Sequence, residues 1–257
     1  MTVATTLDLS NFRPQPDLLR DRVILVTGAN RGIGAATALA CAQHGATVIL
    51  LGRNQAGLEA IDDEIQQTTG REAVLLPFDL KNNQAEAYQE LYQAVMAQFG
   101  RLDGLVNSAA ILGPHSPIEH HRHQDWEDVF QVNVHGAFHL TRALLPALFA
   151  SDQGRLIFLT SSVGRQGRAN WGAYSASKFA IEGLAQILAE ETAWRSQFCV
   201  NVVNPGATRT GMRAVAYPAE DPLQVAPPET HNSTMLYLLS AACAGQTGLS
   251  IDAQPQR

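Results

Sequence analysis

A tyrosine and a lysine four residues apart, in Tyr174-Ser175-Ala176-Ser177-Lys178, are the side chains best placed to do chemistry, and Ser161 stands thirteen positions before the tyrosine. Side chains at i and i+4 share one face of a helix. A free tyrosine titrates at about 10, and an ammonium on the same face is expected to lower that value by favouring the phenolate. A phenol tuned towards neutrality can give a proton to a carbonyl oxygen or take one from an alcohol. Such pairs are common on helix surfaces, so this one gains weight only beside a second motif.

The second motif is a glycine turn. Arg22-Val23-Ile24-Leu25-Val26-Thr27 is a short apolar run leading into Gly28-Ala29-Asn30-Arg31-Gly32-Ile33-Gly34, with an alanine-rich helical stretch behind it. A buried strand, a tight turn and a helix N-terminus form a site for a dinucleotide pyrophosphate. Gly28 suits the turn, Gly32 the close approach of backbone to phosphate, and Gly34 the packing of helix on sheet. No Gly-Lys-Ser/Thr follows, so the loop is not a nucleoside-triphosphate P-loop. The next strand, Ala46 to Leu51, ends at Gly52-Arg53-Asn54 with no carboxylate. An acid there would hold the ribose 2′-hydroxyl of NAD, whereas arginine suits the 2′-phosphate of NADP. Arg53, with Arg31 in the loop, predicts NADP(H), bound at least about tenfold more tightly than NADH by charge-assisted bonds.

Taken together, these residues resemble the short-chain dehydrogenase/reductase family in its single-domain form, from about Arg22 to Asp252. Phe78-Asp79-Leu80 resembles the stretch whose Asp contacts adenine. Asn107-Ser108-Ala109-Ala110 resembles the Asn-Asn-Ala-Gly segment, with Ala110 where glycine is usual. Asn133 occupies the place of the catalytic asparagine. Asn204-Pro205-Gly206-Ala207-Thr208-Arg209-Thr210 resembles the segment on the nicotinamide side, and Ala253-Gln254 replaces a usual Gly-Gly. The Leu-Gly-Arg-Asn strand end and the run Arg165 to Trp171 are similar to a bacterial YciK-type branch of general oxidoreductases. The resemblance implies that Ser161 bonds the substrate oxygen, Tyr174 transfers the proton, Lys178 tunes the tyrosine and holds the nicotinamide ribose, and Asn133 supports a water. It implies cofactor contacts at Gly28, Asn30, Arg31, Gly32, Ile33, Gly34, Arg53, Asp79, Leu80, Asn107, Ala109, Tyr174, Lys178, Pro205, Gly206, Thr208 and Thr210. Ser162 is the alternative serine; alternation sends one of the two to the pocket and the other to the protein. Substrate contacts are expected at Val163, Arg168, Trp171 and Met212, with a lid over Met212–Pro222. Arg165 and Arg168 either receive an anionic group, such as the phosphates of an acyl thioester, or are paired or solvated.

These motifs need a frame to position them. Strands are expected at 73–78, 102–107, 155–160, 199–204 and 248–252, and helices near 83–99, 125–150 and 174–195. Gly70 is expected to stop the second helix. The βα alternation predicts one α/β Rossmann-type doubly wound parallel sheet of about seven strands with helices on both faces. Residues 1–21 are read as a surface arm and 22–257 as a single domain. The chain has 257 residues, 46% hydrophobic content and a net charge of −6, with no basic stripe for a nucleic acid. No apolar run reaches the ~18 residues of a membrane span, and the N-terminus lacks a signal-peptide core. Three scattered cysteines, Cys41, Cys199 and Cys243, suit a reducing cytoplasm. His120, His121 and His123 fit no zinc spacing and are read as a solvated loop, so no metal is expected. The helices near 125–150 and from Tyr174 are expected to build a homodimer or homotetramer.

Three functions fit these residues: an NADPH-dependent carbonyl reductase, with 3-oxoacyl thioesters as one candidate substrate class; an NADP-dependent alcohol dehydrogenase working oxidatively; and a non-catalytic NADPH-binding regulator.

Overall fold

The computed structural model describes residues 4–254. Eight parallel strands form one sheet in the order β1-β8-β7-β6-β5-β2-β3-β4. They are β1 (Ala4–Thr5), β2 (Val23–Thr27), β3 (Thr47–Gly52), β4 (Val74–Pro77), β5 (Gly104–Asn107), β6 (Arg155–Leu159), β7 (Cys199–Asn204) and β8 (Ser250–Asp252). The central strands β2, β5, β6 and β7 are buried along their whole length. This is why they read as continuous apolar runs and not as alternating ones. The order reverses between β2 and β5, and ligands of such sheets bind at the carboxyl ends of strands flanking this reversal.

Helices cover both faces. On one lie α3 (Ala85–Phe99), α5 (Ala137–Phe149) and α6 (Gly172–Glu191), which deliver Leu91, Leu144, Leu148 and Ile181 to one core. On the other lie α1 (Gly32–Gln43), α2 (Gln55–Thr69) and α8 (Asn232–Leu239), whose Ala38, Leu58 and Leu236 join a second core. Truncating a fully buried leucine in such a layer costs about 2–5 kcal/mol. Gly70 ends α2 in the left-handed conformation at φ 69°, as the sequence predicts.

Two features differ from the sequence expectation. The eighth strand comes from the segment read as a surface arm: Ala4 and Thr5 pair with Ser250 and Ile251 of β8. The same segment buries Leu19 completely, and the Leu19 amide donates to the His44 carbonyl at 2.8 Å. The helix expected over 125–150 is interrupted: α4 (His123–Phe130) passes through a π-turn, Gln131–Gly136, before α5 begins. The extra residue of a π-turn rotates the following side chains and is frequent at functional sites; Asn133 lies within it.

Candidate active site

A cleft of about 300 Å³ opens at the strand ends around the reversal. Its floor is the glycine loop. Gly28 has φ +64°, and a Cβ there would lie 2.9 Å from the Ala109 Cα. A Cβ on Gly34 would lie 2.5 Å from the Gly28 carbonyl oxygen, so only glycine lets α1 start this close to β2. No side chain caps the start of α1. Its first N–H groups and the positive end of its dipole are therefore left for an anion. Thr27 Oγ1 accepts from the amides of Ser108 and Ala109 at 3.0 and 2.9 Å, fixing the turn after β5 against the loop.

Asn30, Arg31, Gly32, Ile33, Arg53, Asp79, Leu80, Ala109, Tyr174, Lys178, Pro205, Thr210 and Met212 also line the cleft. Asp79 Oδ1 accepts from the Lys81 amide at 2.9 Å, and Thr210 caps the short helix α7 (Gly211–Ala216). Among the described residues, no carboxylate pairs with Arg31 or Arg53. Six expected cofactor and substrate contacts do not line the cleft: Asn107, Val163, Arg168, Trp171, Gly206 and Thr208. Asn107 is buried and donates to Thr141 Oγ1 at 3.1 Å. Thr208 is buried against His231, Oγ1 to Nε2 2.8 Å. Gly206 turns the chain at φ +70°, its amide bonded to Asn204 Oδ1. Val163 is buried beneath the turn after β6, where its carbonyl accepts from Ser175 Oγ.

Ser161, Tyr174 and Lys178 meet at the end of β6. The Ser161 side chain stands beside the Tyr174 phenol and acts to lower its pKa. Ser162 is exposed at the start of a 3-10 turn and does not face the protein as the alternation argument expects. Gly164 ends that turn; a Cβ there would lie 2.6 Å from the Lys178 Cβ, and its absence lets the turn rest on α6. Lys178 is buried, and its Nζ donates to the Leu159 carbonyl at 2.8 Å and lies 5.6 Å from the Tyr174 ring centroid.

The electrostatics correct one expectation. Burial pushes the Tyr174 phenol up to about 12, and the neighbouring Ser161 offsets only part of this; burial pushes Lys178 down to about 8. Desolvation outweighs the attraction of the ammonium because both groups have left water. The chain's own atoms therefore keep the phenol protonated, as a proton donor requires.

Asn133 also differs from its expected role. Its amide is spent on protein: Nδ2 donates to the Ile111 carbonyl at 2.9 Å and to Ser177 Oγ at 3.0 Å, and Oδ1 accepts from the Ile111 amide at 2.8 Å. Ser177 in turn donates to the Tyr174 carbonyl. The side chain thus ties the cleft wall at Ile111 to the helix carrying Tyr174.

The arginines near the mouth are engaged. Arg165 bonds Glu182 Oε1 at 2.9 Å and Asp252 Oδ1 at 2.5 Å, a buried pairing within the chain and not an anion site. Arg168 donates to the Tyr217 hydroxyl at 3.0 Å. Trp171 lies 5.9 Å, centroid to centroid, from both Tyr174 and Tyr217. His121, read as solvated, is bonded to Ser116 Oγ and packs where a Cβ on Gly172 would sit. Among the described residues no three metal-binding side chains cluster. Thr27, Ile111, Ser177, Tyr217 and His231 are not singled out by the sequence. Each works through a contact distant along the chain, for which local spacing carries no signal.

A glycine-loop cleft at the strand ends, lined by two arginines without carboxylate partners among the described residues and by Tyr174 and Lys178, defines an oxidoreductase of the Rossmann type. Residues 22–221 match the short chain dehydrogenase family, and the chain belongs to it. It is 48% identical to the uncharacterized oxidoreductase YciK of Escherichia coli K12, over 96% of this chain and 97% of that one. A short-chain dehydrogenase from Escherichia coli CFT073, solved in complex with NADPH, superposes with a TM-score of 0.92 at 48% identity, covering 94% of this chain and all of that one. The 3-oxoacyl-[acyl-carrier-protein] reductase FabG of Thermotoga maritima is 33% identical over 76% of this chain and 77% of its own.

Proposed function

We propose that this enzyme is an NADP(H)-dependent oxidoreductase that interconverts a carbonyl and a secondary alcohol. The observation that carries this reading is that Tyr174 and Lys178 line the cleft built by the glycine loop, with Ser161 beside the phenol. The cleft fits the cofactor on its own terms: a cradle that a Cβ would fill at Gly32, an uncapped helix start, and two guanidiniums free of carboxylates among the described residues. Gly28, Asn30, Gly32, Ile33 and Gly34 would hold the pyrophosphate, Arg31 and Arg53 the 2′-phosphate, and Asp79 and Leu80 the adenine. Ala109, Pro205 and Thr210 would hold the nicotinamide side. A bound NADPH supplies the hydride.

In the reductive direction Ser161 donates to the substrate oxygen, and Tyr174 passes its proton to that oxygen as alkoxide charge develops. Donors fixed where this charge appears stabilise the transition state more than the ground state. Lys178, bonded to Leu159, supplies the positive charge that compensates the phenolate once the proton has left. Asn133 positions Tyr174 through Ser177. The likeness to FabG supports a 3-oxoacyl thioester as one substrate class; the same residues would run an alcohol oxidation where cofactor ratios favour it.

Residues 22–257 serve as one catalytic domain with 1–21 as its arm. Phe138 on α5 and Phe179 and Ile187 on α6 are exposed apolar side chains and support a homodimer or homotetramer through those helices. The acidic balance and three free cysteines support a cytoplasmic enzyme without a nucleic-acid partner. No described helix is long and apolar enough to cross a membrane. The reading is tested by following NADPH absorbance with a panel of ketones, aldehydes and 3-oxoacyl thioesters. Binding of NADPH without turnover of any of them would favour a regulator instead.

A further inference from the structure

The two elements that border Tyr174 beyond the cofactor cleft are the start of α6 and the segment around α7, and aromatic side chains face each other across them. Trp171 precedes α6, its ring centroid 5.9 Å from that of Tyr174, and His115, in the loop after β5, packs on Trp171 with centroids 4.3 Å apart. Burial lowers the His115 pKa. Tyr217, which closes α7, also packs on Trp171. Its ring lies 5.9 Å from Trp171 and its hydroxyl accepts from Arg168. The Arg213 guanidinium lies 3.7 Å from the Tyr217 ring centroid and grips Glu220 with two bonds of 2.6 Å. These contacts hold the Tyr217 ring in place before anything binds, so little ordering cost remains.

We infer that Trp171 and Tyr217 are the specificity-determining walls of the substrate site, and that the substrate carries its carbonyl next to a planar aromatic group that stacks on them. Trp171 is the aromatic neighbour of the Tyr174 ring, so the substituents of a carbonyl held at that phenol come within reach of it. Ring pairs at centroid separations of 4.5–7 Å are favoured beyond their buried area. Charge argues the same way. A substrate with a phosphate tail needs a free cation at the mouth, but Arg165 is neutralised by Glu182 and Asp252, and Arg213 by Glu220. Of Arg165, Arg168 and Arg213, Arg168 is the one without a carboxylate partner among the described residues, and it donates to Tyr217.

This inference rests on the carbonyl-reducing reading of Tyr174, and its test separates the two. Aryl methyl ketones and alkyl methyl ketones of equal carbon number are compared with NADPH. The aryl series is expected to have kcat/KM at least about tenfold higher, the value of one to two ring contacts. Trp171→Leu and Tyr217→Leu should each narrow that ratio at least about fivefold, whereas Tyr217→Phe, which keeps the ring, should preserve it. Alkyl ketones turned over as well as aryl ketones by the wild type, or a ratio untouched by Trp171→Leu, would overturn the inference. Calorimetric titration of the NADPH-saturated protein with 2-naphthamide and with cyclohexanecarboxamide, neither reducible by hydride, reads the site without turnover. Preferential binding of the naphthamide, weakened at least about tenfold by Trp171→Leu, supports the aromatic site even if no ketone reacts, and then only the catalytic reading falls. Equal binding of the two amides overturns the aromatic site whatever the turnover.

Discussion

Asn133 grips a single residue at both of its main-chain polar groups: its side chain accepts from the Ile111 amide at 2.8 Å and donates to the Ile111 carbonyl at 2.9 Å. The π-turn supplies this reach, and the third bond, to Ser177, connects the pair to α6. Asn133→Ala leaves these groups without their partner, which costs on the order of 1–3 kcal/mol. Thermal unfolding should therefore shift down. Turnover should fall by a larger factor than cofactor affinity, because Tyr174 loses its tether while the glycine loop does not. Equal losses in both would remove Asn133 from the positioning of Tyr174.

Tyr174→Phe removes the proton donor and keeps the ring. Turnover should drop by orders of magnitude, since a positioned general acid contributes roughly 10²–10⁴-fold. NADPH affinity, read by fluorescence titration, should stay within about threefold of the wild type, a change of under 1 kcal/mol. Near-normal turnover would take Tyr174 out of the reaction.

Arg31 and Arg53, which both line the cleft, are the cations proposed to hold a 2′-phosphate. Hydrogen bonds to charged groups contribute about 1.5–3 kcal/mol each, so Arg53→Ala should weaken NADPH binding by at least about tenfold. NADH lacks that phosphate, and its affinity should hardly move. The double variant Arg31→Ala, Arg53→Ala should bind the two cofactors alike. A variant that loses both affinities equally would show that the arginines support the fold and do not read the phosphate.

Thr208 and His231 make a buried polar pair behind the loop that carries Pro205 and Thr210. Removing one partner strands the other, whereas removing both can be nearly neutral. Thr208→Val and His231→Leu should each destabilise the protein, and the double variant should recover much of that loss. Burial lowers His231 to about 4 in the folded protein, against about 6.5 for a free histidine. Its contribution is therefore fully present above pH 6.5 and is lost as pH falls towards 4, because the unfolded chain takes up the proton first. His231→Leu should flatten that acid limb in denaturant titrations; an unchanged slope would mean that His231 is protonated within the fold.

How much of this was legible along the chain follows from the range of each interaction. Gly28, Gly32 and Gly34 could be read because their spacing falls within one local strand–turn–helix unit, although only Gly34 would clash inside it while Gly28 and Gly32 would meet Ala109 and Thr210. Tyr174 and Lys178 could be read because helical spacing alone puts them on one face. The π-turn could not, since Gln131–Gly136 continues the apolar rhythm of its neighbours and inserts its extra residue only in three dimensions. Strand β1 is two residues long and too short for alternation to show, so its pairing is set by β8 at the far end of the chain. The sign of the Tyr174 shift was missed for a related reason. Spacing reports that Lys178 is near but not that both groups have left water. His231, Tyr217 and Arg165 are single residues whose meaning depends entirely on distant partners.

Arg165 closes the turn that follows Ser161 and is clamped between Glu182 of α6 and Asp252 of β8, while Asn204 of β7 holds the same Asp252 oxygen at 2.8 Å. The turn after Ser161 is thus held by strands that are translated after it. A nascent chain can assemble its glycine loop early, yet this turn is fastened only once β8 has joined the sheet, and a substitution at Asp252 would loosen it from two strands away.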